Sequence, residues 1–194
     1  MSEMLDTESV LLGAVNILLN TINEPSIETE QDYNVILEAR QARDTIFEVK
    51  RAVLAEGWDF NSDNDYIFPI GIGGFIPVPQ NVLDITGNNG DVIMRNWRLY
   101  SKQDQTHVFE EEVPCDVIWD MMFDSITHPL RHYITIRAAR IFQARTIGDA
   151  NANAYTETDE EDARLAARRS ETRTGKYNML SSGAYGTTNK INRS

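Results

Sequence analysis

The sequence predicts a mainly α protein: a helical bundle with an inserted small antiparallel β domain and an extended C-terminal arm. Three observations carry this. Apolar residues recur at helical spacing over residues 7–24, 30–56 and 129–147. From Trp58 to about Asp116, helix formers thin out, and prolines and glycines punctuate short apolar runs. After Gly175 the chain turns to Gly, Ser, Thr and Asn yet keeps scattered apolar anchors. The expected organisation is a bundle domain from 1–57 and 117–174, a β insertion over 58–116, and a tail over 175–194. A chain of 194 residues suits one domain carrying a smaller inserted one.

The first helix is expected from Thr7 to Glu24, with Thr7 or Asp6 as its cap. Val10, Leu11, Ala14, Val15, Leu18 and Ile22 form its stripe, and Pro25 ends it. The second is expected from Glu30 to Glu56. Val35, Ala39, Ala42, Ile46, Val49 and Val53 alternate four and three residues apart, and Gly57 is placed to stop it. In the middle segment, Tyr66–Phe68, Phe75–Ile76, Val82–Leu83, Val92–Met94, Trp97–Tyr100 and Thr106–Phe109 are strand candidates. Asn88-Asn89-Gly90-Asp91 reads as a hairpin turn. Val117–Phe123 is an apolar run whose periodicity fits helix and strand equally. Pro129 opens a helix that Gly148 closes. A last helix is expected from Tyr155 to Arg173, capped by Thr156 or Thr158. Its acids lead and its arginines follow, which suits the helix dipole. With little apolar content beyond alanine and Leu165, it is expected to be a solvated helix or one ordered by a neighbouring subunit.

Composition narrows the function. With 41% hydrophobic residues the chain is too apolar for a disordered protein. Thirty acidic and 18 basic residues give a net charge of −12, which argues against tight binding of nucleic acid through a basic footprint. The single cysteine, Cys115, excludes an internal disulfide. Its neighbours Glu110, Glu111, Glu112 and Asp116 raise a thiol's pKa rather than lower it, so it reads as a buried bystander. The start, Met1-Ser2-Glu3-Met4, lacks the basic region of a signal peptide, and Val10–Leu19 is too short to span a bilayer. The expectation is a soluble chain made in a reducing cytoplasm, without membrane insertion.

Signs of chemistry are weak. Asp124, His128 and His132 are spaced four apart, but Pro129 is expected to begin the helix and break their common face. Glu110-Glu111-Glu112 reads as a solvated run rather than a catalytic pair. Gly71-Ile72-Gly73-Gly74 lacks the Gly-Lys-Ser/Thr and the helix that a phosphate loop needs. No catalytic, metal or cofactor-binding residue is assigned, and no cofactor is expected.

Five segments, in order, carry a resemblance: Ala14-Val15-Asn16-Ile17-Leu18-Leu19-Asn20-Thr21-Ile22-Asn23-Glu24-Pro25, Glu56-Gly57-Trp58-Asp59-Phe60-Asn61, Arg137-Ala138-Ala139-Arg140-Ile141-Phe142, Glu160-Glu161-Asp162-Ala163-Arg164 and Tyr177-Asn178-Met179-Leu180. Together, from about residue 10 to 180, they resemble the tail tubular protein A family of short-tailed bacteriophages, also called the gatekeeper or adaptor. The resemblance matches the β insertion only loosely. It implies a structural virion protein, assembled in the host cytoplasm. Twelve copies would form a ring between the portal protein and the nozzle, tail tubular protein B. The ring would continue the channel for double-stranded DNA without sequence-specific binding, and tail fibre protein would attach near the junction. The expected interface with the portal or a neighbouring subunit is Arg164, Arg168, Tyr177, Asn178, Met179 and Leu180, with Tyr185 and Ile191 extending it. The expected nozzle interface is Asn88, Asn89 and Asp91. The competing classes are a virion-associated glycan hydrolase, which needs paired acids in a cleft, and a soluble helical binding module, which would not form a ring.

Overall fold

A computed structural model describes residues 9–87, 90–148 and 154–182, with side chains described as far as residue 173. Helix α1 spans Val10–Thr21 and α2 spans Leu37–Leu54. Five strands follow: β1 (Ser62–Ile67), β2 (Val82–Gly87), β3 (Val92–Arg95), β4 (Arg98–Ser101) and β5 (Pro114–Trp119). Helices α3 (His128–Thr146) and α4 (Glu157–Ser182) complete the described residues. With a five-stranded sheet beside four helices, the fold is mixed α and β, which corrects the mainly α expectation.

Every pairing in the sheet is antiparallel, in the order β1-β5-β2-β3-β4. The ambiguous run from Val117 is extended as far as Trp119, because both edges of β5 are paired and its backbone groups are satisfied there. The last strand in sequence therefore lies inside the sheet, across the expected boundary at Asp116. Antiparallel β2 and β3 flank residues 88–91, as a hairpin requires. Thr106–Phe109 is not a strand. It contributes single bridges, Phe75 to Val108 and Ser101 to Thr106.

The helix limits differ from the periodicity for local reasons. The caps expected at Thr7 and Asp6 lie outside the described residues. Asn23, at φ 60°, turns the chain after α1 before Pro25 is reached. The second helix is not continuous. Residues Glu30–Asn34 form a short 3₁₀ turn, with Thr29 and Asp32 as its reciprocal cap, and Ile36 is extended before α2 begins. Val35, counted into the apolar stripe, is 84% exposed as a result. Gly57 does end the second helix in left-handed geometry, at φ 72°, and a Cβ there would meet Ile118 Cδ1 at 3.1 Å. The last helix runs past Arg173 and through Gly175 to Ser182, so the first residues of the expected tail are helical.

Two apolar clusters result. The helical one holds Leu18, Leu19, Ile46, Val53, Trp58, Leu130 and Ile134, each nearly or fully buried. α3 is its central element and packs against α1, α2 and α4. The second lies on the sheet and holds Phe68, Ile76, Val82, Ile85, Leu99, Cys115 and Val117. Cys115 Sγ presses so close to Gly87 that a Cβ there would come within 2.7 Å. Burial, helped by Asp116, pushes the Cys115 thiol up to about 11. Polar groups join the two clusters. Asn61 bonds to both sides, and Lys50 of α2 reaches Asp120 at the end of β5.

Candidate functional site

α4 is the element on which most of the expected interface lies, and its first half is held on its own chain. Thr156 and Asp159 form a reciprocal cap: Thr156 N donates to Asp159 Oδ2 (2.8 Å) and Asp159 N to Thr156 Oγ1 (3.2 Å). Those bonds from Thr156 hold the Asp159 carboxyl below its usual range. Among the described residues, the face of α4 toward α3 buries only Ala163 and Ala167. Charge supplies what this apolar contact lacks.

Glu56, at the end of α2, receives three arginines. Arg168 Nη2 lies 3.0 Å and Arg164 Nη2 3.3 Å from Glu56 Oε2, and Arg137 Nη1 lies 3.9 Å from Oε1. One turn earlier in α4, Glu160 takes Arg140 at 2.7 Å and Arg137 at 3.7 Å. Arg168 also stacks on the buried Trp58 ring, 3.8 Å from its centroid, and bonds Glu171 at 3.1 Å. Glu171 in turn accepts the backbone N–H of Asp59. Trp58 is fixed from below by its Nε1–H, which donates to the Val53 carbonyl at 2.8 Å. The carboxylates are partly shielded and the arginines more open, so the clamp stands at the bundle surface.

Arg164 and Arg168, expected to face the portal or a neighbour, are therefore brought together on Glu56 of their own chain. This puts α4 on the bundle as an element of the subunit itself, where the sequence left open a solvated helix. Glu56, Trp58, Arg137, Arg140 and Glu160 were not expected to act together. Their signal was present, because all five fall within the segments that carry the resemblance. Tyr177, Asn178, Met179 and Leu180 lie on the helical backbone of α4, and their side chains lie outside the described residues. Tyr185 and Ile191 lie outside them altogether, as do Asn88 and Asn89. Asp91 is described. Its carboxylate accepts Ser101 Oγ (3.0 Å) and the Gln103 N–H (2.7 Å), bracing the loop after β4.

Replacing Glu56 with Ala should remove the carboxylate that the three guanidinium groups share, leaving Arg137 on Glu160 and Arg168 on Glu171 and Trp58, and loosen α4 with little effect on the rest. Because the groups are partly exposed, the expected cost is about 1 kcal/mol. Amide exchange over residues 157–173 should accelerate while α2 stays protected. Equal acceleration in α2 would mean that the clamp supports the whole bundle instead.

The residues weighed for catalysis are dispersed. Glu110, Glu111 and Glu112 are exposed, and Cys115 is buried on the sheet. His128 falls inside α3 rather than before it, so it does share a face with His132, contrary to the expected break at Pro129. Both border an open hollow of about 200 Å³ between α1 and α3. Among the described residues, no group of three or more His, Cys, Asp or Glu side chains is placed to hold a metal ion. No described helix is long and apolar enough to cross a membrane.

The sequence model of the tail tubular protein family matches residues 12–177. The chain belongs to the tail tubular protein family of bacteriophages. No curated protein matches it in sequence. The matched span opens in α1 and closes within α4, so family membership covers both apolar clusters and the clamp between α2, α3 and α4. A tail tubular protein is a structural component of the phage tail. Within that family frame the clamp ties α4 to α3 and to the end of α2.

Proposed function

We propose that this chain is the adaptor of a short-tailed phage, one of twelve copies in a ring between portal and nozzle. The ring continues the channel for double-stranded DNA and supports attachment of tail fibres. The subunit acts by architecture and not by catalysis, and it assembles in the host cytoplasm. In this reading residues 1–57 and 117–174 form the bundle, residues 58–116 the inserted β unit, and residues 175–194 the arm.

One observation carries the proposal. α3 and α4 run antiparallel, since Arg140 pairs near the start of α4 while Thr127 and Leu130 lie beside Ala167 and Glu171. By Glu171, α3 has reached its beginning. α4 nevertheless continues as helix to Ser182, which adds about 16 Å at 1.5 Å per residue. A helix that continues past the beginning of its neighbour α3 is suited to a partner, and Tyr177, Asn178, Met179 and Leu180 lie on that continuation. In this reading Arg164 and Arg168 serve the portal contact by setting the direction of the helix. Tyr185 and Ile191 extend the contact.

The nozzle contact is assigned to the β2–β3 hairpin at Asn88, Asn89 and Asp91. The Asp91 carboxylate already braces the neighbouring loop, so recognition falls mainly to the two asparagines. The segment from Trp58 to Asp120 holds eleven acids against three bases. Such a surface repels phosphate and suits a wall past which DNA slides.

Deleting residues 175–194 should leave the clamp and both apolar clusters intact and abolish binding to the portal. Native mass spectrometry of the full chain with its portal should give about one copy per portal subunit, and the shortened chain should give none. Undiminished binding by the shortened chain would refute the assignment of the arm.

A further inference from the structure

The hollow between α1 and α3 is bordered by α1 through Val10, Gly13 and Ile17, which follow at i, i+3 and i+7. Val10 is 41% and Ile17 38% exposed, a large apolar exposure for the side of a bundle helix. Between them, a Cβ added at Gly13 would meet nothing within 4 Å, so the stripe has a gap at its centre. On the other wall stand His128, Arg131 and His132. Arg131 Nη1 donates to the Asp124 carbonyl at 2.8 Å, and among the described residues Arg131 forms no salt bridge.

The outward face of α4 is the counterpart. Among the described residues, its large apolar side chain is Leu165, 42% exposed. Exposed Glu161 and Asp162 precede it and form no salt bridge among the described residues, and exposed Arg169 follows one turn later. A leucine flanked by two exposed acids fits a glycine gap flanked by an arginine and two histidines. Arg169 then falls to the exposed Asp124 beside Arg131.

These two surfaces cannot meet within one chain. His128, Arg131 and Thr135 mark the face of α3 toward the hollow, whereas Tyr133, Arg137 and Arg140 mark its opposite face, toward α4. The outward face of α4 points farther away still. Surfaces on opposite sides of a subunit pair head to tail, and repetition closes a ring or extends a filament.

We infer that Leu165 on the outer face of α4 seats in the Gly13 gap of the next copy, with Glu161 and Asp162 facing that copy's Arg131, His128 and His132. The inference rests on the ring reading above and names the contact that would build the ring. The clamp on Glu56 then has a second purpose: it holds α4 rigid so that Leu165 is presented at a fixed angle.

Cysteines at both positions test this in the full chain co-expressed with its portal. A Cβ at Gly13 meets nothing within 4 Å, Leu165 is exposed, and native Cys115 is buried. A short bismaleimide should link the double variant into a ladder of multimers. A mixture of the two single variants should give dimers, and each single variant alone should remain uncoupled. Arg131→Glu should lower the yield of multimers about tenfold, and Glu161→Arg in the same chain should restore it. Multimers that form without these cross-links would overturn the contact and leave the ring reading standing. A chain that forms no multimers, with or without its portal, would overturn both. A Gly13→Cys thiol shielded from maleimide in the monomer would point to the chain's own first residues as the occupant and also overturn the contact.

Discussion

Asn61→Ala is expected to destabilise the chain by about 4 kcal/mol. Asn61 is 1% exposed and uses its whole amide. Its Nδ2 donates to the Leu54 carbonyl at 3.1 Å and to the Trp119 carbonyl at 2.8 Å, while its Oδ1 accepts the Trp58 N–H at 2.9 Å. Alanine would leave the Trp58 N–H without its acceptor and take a donor from the Leu54 and Trp119 carbonyls, although Leu54 keeps the Gly57 N–H at 3.1 Å, and a buried polar group that loses its partner costs about 1–3 kcal/mol. Those groups belong to the end of α2, the turn after it and the end of β5, so one side chain joins the helical cluster to the sheet. In urea, with a slope of about 2 kcal/mol per molar, the midpoint should fall by about 2 M. A fall under about 0.5 M would mean that water replaces the amide, and that the junction is wetter than its burial indicates.

The second large effect lies at the same junction. Lys50 is a mostly buried cation in α2. Its Nζ lies 2.7 Å from Asp120 Oδ1 and donates to the Met121 carbonyl at 2.8 Å. Its partner is oriented as well, because the Asp120 N–H donates to the Asn81 carbonyl at 2.7 Å. Lys50→Met keeps the stem and removes the charge. It should cost about 3 kcal/mol, mainly because the shielded carboxylate keeps only Arg51, at 3.6 Å, as a counter-charge. Adding Asp120→Asn should recover more than half of that loss, since the stranded charge disappears with it. If the double variant is as unstable as Lys50→Met alone, the lysine acts through its bond to Met121 and not through the ion pair.

Both effects arise where the β unit meets the bundle, and the sequence marked this place unevenly. Gly57, Trp58 and Asn61 stood in a segment that resembled a known family, yet nothing local distinguished a hydrogen-bonding asparagine from an ordinary turn residue. Lys50 stands outside the apolar stripe of its helix, beside Arg51, where a charged residue is ordinarily solvated. The face it occupies is wet only along α2 considered alone, because β5 and the chain after it cover that face from 71 residues away. Periodicity reports the faces of one helix, whereas burial depends on what else arrives there.

The same distinction explains the remaining differences. Local chemistry determined that α1, α2 and α3 exist, that Gly57 and Gly148 end their helices, that residues 88–91 join two strands, and that a lone cysteine amid acids is inert. It also determined the acidic character of the surface and, through five ordered segments, the family. Tertiary contacts decided the rest. The run from Val117 became strand because β1 and β2 flank it, a pairing between residues far apart in sequence. The break at Val35 follows the short turn capped by Thr29 and Asp32 and the extended Ile36, which apolar spacing does not record. α4 was held to the bundle by arginines converging on Glu56 and Glu160 from two helices, and a helix rich in alanine and charge carries no local sign of such a partner. Spacing along the chain fixes which residues share a face; only folding fixes which faces meet, because that choice is made by contacts whose partners lie far apart in sequence.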